Sequence, residues 1–124
     1  MYTIQFNRAW NLLDISWSGL FTPDEMRRYA ADCEACRRRE RIEPGYRLRI
    51  VLTDNQPLPQ DTLGVLGKVF ENFPVSSRTA MVTKSAVARM QIRRTMMVPQ
   101  MQIFDDPTAA LAWLMAPQAR EGGV

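Results

Sequence analysis

The sequence predicts an α/β domain in the order β-β-α-β-α-β-α-β-α, with a mixed, mostly parallel sheet and helices packed on it. Three observations carry that expectation. Short strand-like apolar runs alternate with segments of helical periodicity. Ile50, Val51 and Leu52 are apolar at consecutive positions, as in a central strand buried on both faces. Helix-start signals stand where strand-like runs end. Strands that alternate with helices pair in parallel, because each connection must cross back over the sheet.

Taken in order, Tyr2, Ile4 and Phe6 alternate with polar residues, as do Leu13, Ile15 and Trp17. Each set reads as a half-buried strand, and the short NRAW stretch between them suits a hairpin loop. In GLFTPDEM, Thr22 is the expected N-cap, Pro23 the first helical residue and Glu25 the return half of a capping box. Phe21 and Met26 are spaced as a hydrophobic staple. That helix is expected to run to about Arg41, with Met26, Tyr29, Ala30, Cys33 and Cys36 or Arg37 along its apolar stripe and Pro44-Gly45 beyond its end. YRLRIVLTD is the third strand. Leu63, Leu66 and Phe70 mark a second helix, and RTAMVT a fourth strand. KSAVARMQIRRTMM is a helix opening at Thr83 or Ser85, and QMQIF after Pro99 is the last strand. DDPTAALAWLMA closes as a helix capped by Asp105 or Asp106, with Pro107 near its first position. Residues 1–116 form a single domain, and residues 117–124 read as a flexible tail.

The chain has 124 residues, 46% of them hydrophobic and 23% charged, an ordinary composition for a globular domain with its own core. No apolar run approaches the ~20 residues that span a bilayer. The N-terminus lacks the basic start and apolar block of a secretory signal, so the expected location is the cytoplasm. There is no histidine, which removes the commonest general base and metal ligand. Net charge is +3, and Arg37, Arg38, Arg39, Arg41, Arg47 and Arg49 crowd into one short stretch. Within it the run CRRRER has no interleaved aromatic residues and reads as a solvated helix face rather than a nucleic-acid site.

Cys33 and Cys36 form a C-x-x-C motif, but it lies about three turns past the expected helix cap, beyond the amides that activate redox thiols. A tetrahedral zinc site takes more ligands than two cysteines supply. Both are expected to pack in the core, and neither a metal nor a cofactor is expected. GVLGK resembles the end of a phosphate-binding loop, yet Thr62 and Val69 occupy the positions that need a glycine and a hydroxyl. Gly64 and Gly67 instead suggest close approach of a helix to the sheet beneath it. Five of the eight methionines fall between residues 81 and 101, as core filler or as an adaptable apolar surface.

The order of elements, and above all RTAMVTKSAVARM followed by VPQMQIFDDPTAALAWL, resembles the SpoIIAA-like proteins of the STAS fold. The resemblance spans residues 2 to 115 and includes the hairpin and GLFTPDEM. It implies a non-enzymatic regulatory or protein-interaction domain that works through the loop after the third strand and the start of the second helix. The implied partner is a protein of the anti-sigma-factor or kinase kind, and self-association into a homodimer is open. On this chain those positions are Asp54, Asn55, Gln56, Asp61, Thr62, Gly64 and Lys68. The phosphorylatable serine of such proteins falls on Thr62, the candidate phosphorylation site, or in the other register on Asp61. Pro57 and Pro59 would stiffen that loop at the carboxyl edge of the sheet. The alternative is a carrier of an apolar small molecule or lipid, since the SpoIIAA-like branch is grouped with Sec14-type domains and the methionines would line a pocket. An enzyme would have to work with Asp54, Asp61, Asp105 or Asp106 and Lys84, residues whose simpler role is helix capping.

Overall fold

A computed structural model describes residues 1–19, 22–53, 64 and 67–117. The strands are β1 (Tyr2–Asn7), β2 (Leu12–Trp17), β3 (Arg47–Leu52), β4 (Arg78–Val82) and β5 (Met101–Phe104). The helices are α1 (Pro23–Glu40), α2 (Ala86–Thr95) and α3 (Pro107–Met115), and residues 64 and 67–69 are also helical. The five strands form one mixed sheet in sequence order, β1-β2-β3-β4-β5. β1 runs antiparallel to β2, and every other neighbouring pair is parallel.

The two alternating N-terminal sets pair with each other: Tyr2 faces Trp17, Ile4 faces Ile15 and Phe6 faces Leu13. One register step either way would turn both sets to the opposite face, so the burial of Ile15 and Leu13 fixes the pairing. Asn11 adopts φ 50° in the hairpin, a left-handed conformation that asparagine tolerates. β3 is the central strand, with Leu48, Ile50 and Leu52 buried on one face and Arg47, Arg49 and Val51 half-buried on the other. The expectation of a strand apolar on both faces therefore holds only at its end, where Val51 follows two arginines.

Local chemistry sets the helix ends. Thr22 accepts a hydrogen bond from the Glu25 amide at 3.1 Å, and Pro23 opens α1. Phe21, half of the expected staple, lies outside the described residues. Arg41 closes α1 at φ 52°, its amide bonding back to Arg37 and Arg38 carbonyls. Ser85, rather than Thr83, caps α2 by accepting from the Ala88 amide at 3.1 Å. α2 ends at Thr95, short of both Met96 and Met97. Asp106, rather than Asp105, caps α3 through the amides of Thr108 and Ala109.

The sheet separates two cores. On the larger side, α1 brings Met26, Tyr29, Cys33 and Cys36, and α2 brings Ile92, against Leu13, Ile15, Trp17, Leu48, Ile50 and Met81. On the other side, Ala110 and Leu114 of α3 meet Leu12, Ala80 and Val82. No helix among the described residues is long and apolar enough to cross a membrane.

Candidate functional site

An apolar cleft of about 580 Å³ opens on the larger side of the sheet. Tyr46, Leu48 and Ile50 form part of its floor, with Thr79 of β4 and Met101 of β5 beside them. One wall comes from Gly64, Gly67, Lys68, Phe70 and Phe73, the other from Met96, Met97 and Val98. The volume and lining are those of a small-molecule site, mostly apolar with few polar groups. The phenylalanines hold each other edge to face, ring centroids 4.9 Å apart, which keeps their wall in place.

The polar groups at the cleft are few and differ in kind. Ser76 and Thr79 are both buried, and their hydroxyls share a 2.6 Å hydrogen bond. Burial pushes the Tyr46 phenol up to about 12, with the neighbouring Cys33 thiol adding to the shift, so it stays neutral over the ordinary pH range. Lys68 and Glu71 are exposed at the rim. The arrangement can hold an apolar chain against the sheet and meet a charged end at Lys68.

The cleft lies at the opposite edge of the sheet from the one expected to recognise ligands. Tyr46 precedes β3, while Thr79 and Met101 lie at the starts of β4 and β5. The carboxyl edge, in its described part, is occupied by helix caps: Thr22, Ser85 and Asp106, with Thr83 accepting from the Ser85 amide at 3.1 Å. Lys84 and Asp105 are exposed there. Of the residues expected to bind a partner, Asp54, Asn55, Gln56, Asp61 and the candidate phosphorylation site Thr62 lie outside the described residues, while Gly64 and Lys68 join the cleft. The expected close approach at the two glycines does not occur: a Cβ placed on Gly64 or Gly67 meets no described atom within 4 Å.

The methionines divide. Met81 is core at 0% exposure, Met96, Met97 and Met101 line the cleft, and Met90 faces outward. The arginine stretch divides as well. Arg37 and Arg38 both bond Glu34, and Arg39 bonds Glu40 at 3.2 Å. Arg49 clasps Asp14 through two bonds of 3.0 and 2.5 Å, and Arg47 reaches the Leu114 carbonyl at 2.9 Å. Cys33 and Cys36 are buried free thiols, and burial pushes the Cys33 thiol up to about 12. Among the described residues no group of three or more candidate metal ligands comes together.

The domain is thus an α/β fold with a mixed five-stranded sheet and an apolar cleft at its amino edge. The chain matches no family model, no curated protein and no solved structure. Sequence reasoning missed the cleft floor because Tyr46 and Thr79 sit 33 residues apart and meet only through sheet register, Leu48 opposite Thr79. The readable signal was the run from Met96 to Met101, which it took first as core.

Proposed function

We propose that this chain is a non-enzymatic binding domain of the SpoIIAA-like, STAS type that holds an apolar small molecule or acyl chain with an anionic end. Of the two binding roles the sequence leaves open, the carrier role has a described feature behind it. The observation that carries it is the 580 Å³ cleft floored by strand residues, walled by phenylalanines and methionines, and met at its rim by Lys68. Methionine walls suit ligands of varied shape, because an unbranched thioether repacks at low cost. Burying an acyl chain there removes apolar surface from water on both sides at about 25 cal/mol per Å². The lysine ammonium then meets the carboxylate or phosphate that stays wet.

Native mass spectrometry after gentle purification, with melting curves in dodecanoate, tests the reading. The expected result is a bound mass or a rise in Tm. Occupancy at a hundredfold excess over Kd corresponds to roughly 2.7 kcal/mol of added stability. Lys68→Glu is expected to weaken dodecanoate and leave dodecanol uptake largely intact. A clean unliganded mass together with no shift in Tm would sink the carrier role.

A further inference from the structure

We propose that the outer face of α2 is a docking surface for an anionic lipid bilayer, placed so that the mouth of the cleft meets the lipid. This rests on the reading of the cleft as an acyl-chain site. The starting observation is a concentration of exposed apolar side chains. Among the described residues, seven large hydrophobics are exposed, and five of them belong either to the cleft lining or to α2, the helix that leads into it along the chain. Val75, Met97 and Val98, at 68%, 46% and 40% exposure, belong to the cleft lining. Val87 and Met90, at 50% and 53%, stand on α2.

Helical spacing explains why those two stay outside. Ala88 and Ile92 are buried, one turn apart, and they set the inner face of α2. Val87, Met90 and Arg94 recur at three- and four-residue steps on the opposite side, with Arg93 beside them. α2 carries Arg89, Arg93 and Arg94 and no acidic residue, and none of the three arginines pairs with an acid among the described residues. In the preceding segment Lys84 is exposed as well. Arg37, Arg38 and Arg39 at the end of α1, by contrast, are tied to Glu34 and Glu40.

An apolar stripe flanked by unpaired arginines matches the interface of a bilayer bearing negative headgroups. The side chains enter the acyl boundary while long guanidinium arms reach the phosphates. A protein partner would need an apolar ridge set in acid. A bilayer presents both features over any area, and it also supplies the apolar chain the cleft would take. Met97 and Val98, exposed and part of the cleft lining, follow the end of α2 directly along the chain, which favours lipid.

Flotation with vesicles tests this on the full chain, without added ligand. One set is phosphatidylcholine alone and the other contains phosphatidylglycerol. The chain is expected to bind the anionic set only, and to release as salt rises from about 0.1 M to about 1 M, where the Debye length falls from about 10 to about 3 Å. Met90→Asp, and the pair Arg93→Glu with Arg94→Glu, are each expected to weaken binding by roughly tenfold or more. These residues are exposed, so circular dichroism and Tm should stay at the parent values, and a variant that fails this check is replaced by Val87→Asp. No binding to anionic vesicles overturns the proposal. So does binding that these variants leave unchanged. So does sedimentation showing a dimer that Met90→Asp dissociates, which would assign the stripe to a second copy. A chain that takes up dodecanoate but ignores vesicles overturns this inference and leaves the cleft standing; one that binds vesicles but no dodecanoate does the reverse.

Discussion

Cys33 occupies the point where α1 meets an aromatic group, with the Trp17 and Tyr29 centroids 4.6 Å apart and Tyr2 and Trp17 4.8 Å apart. Burial pushes its thiol up to about 12, and burial likewise raises the Tyr29 phenol and pushes Tyr46 to about 12. In the unfolded chain a thiol ionises near about 8.5 and a tyrosine near about 10. Above those values the unfolded chain sheds protons that the folded chain keeps, so it binds fewer protons and stability falls as pH rises. The contribution is fully present below about 8.5 and is lost progressively toward about 12. Thermal melts at low salt should show a Tm that is level from neutral pH to about 8.5 and declines beyond, with a shallower decline in Cys33→Ala. A level Tm up to pH ~11, or a Cys33 that reacts with a disulfide reagent at the rate of a free thiol at pH ~8, would refute the assignment. The placement of this residue was legible, because a C-x-x-C three turns past Thr22 falls on the apolar stripe with Met26 and Tyr29. The chemistry of the motif is decided by that position.

At the scale of elements, the starts of the helices and the ends of α1 and α3 were legible, while α2 stops two residues short of the expected Met97. Thr22, Ser85 and Asp106 act on amides two or three residues ahead, so a local window contains both partners. The C-terminus of α3 has no basic residue in its last turn. Its open carbonyls are met from elsewhere: Arg47 bonds Leu114, 67 positions away, and Arg78 bonds the Trp113 carbonyl while its guanidinium stacks 5.0 Å from the Trp113 ring centroid. Strand arginines thus serve as the C-cap of a helix, an arrangement that only the register of β3 and β4 creates. A charge-assisted bond to a carbonyl plus a partly exposed cation–π contact should make Arg78→Ala cost about 1–2 kcal/mol. Urea unfolding would show this as a lower midpoint with an unchanged slope. A midpoint within error of the parent would mean that α3 is held by Ala110 and Leu114 alone.

Across the whole molecule, the two sides of the sheet are unequally defended. Fifteen buried residues form the cluster under α1 and α2, against five under α3, among the described residues. The α/β class and its mixed sheet were readable because alternation and helix starts are local properties of the chain. The cleft was not, since it arises where Tyr46, Phe70 and Met96 converge across the sheet's amino edge, while most of the loop expected to act at the carboxyl edge lies outside the described residues. The unequal packing has a dynamic consequence. β3 has a hydrogen-bonded neighbour on each side, so its amides exchange only when the sheet comes apart. α3 loses far less apolar contact by lifting from Leu12, Ala80 and Val82, and it can do so while β2 to β4 stay paired. Native-state hydrogen exchange should therefore find α3 opening at a free energy about 2 kcal/mol or more below that of β3, with the segment lining the cleft also on the low side. Arg78→Ala should widen that gap without moving the β3 amides relative to global unfolding. If α3 and β3 amides exchange at one common free energy, the sheet and its outer helix form a single cooperative unit, and the smaller cluster is worth as much to the fold as the larger.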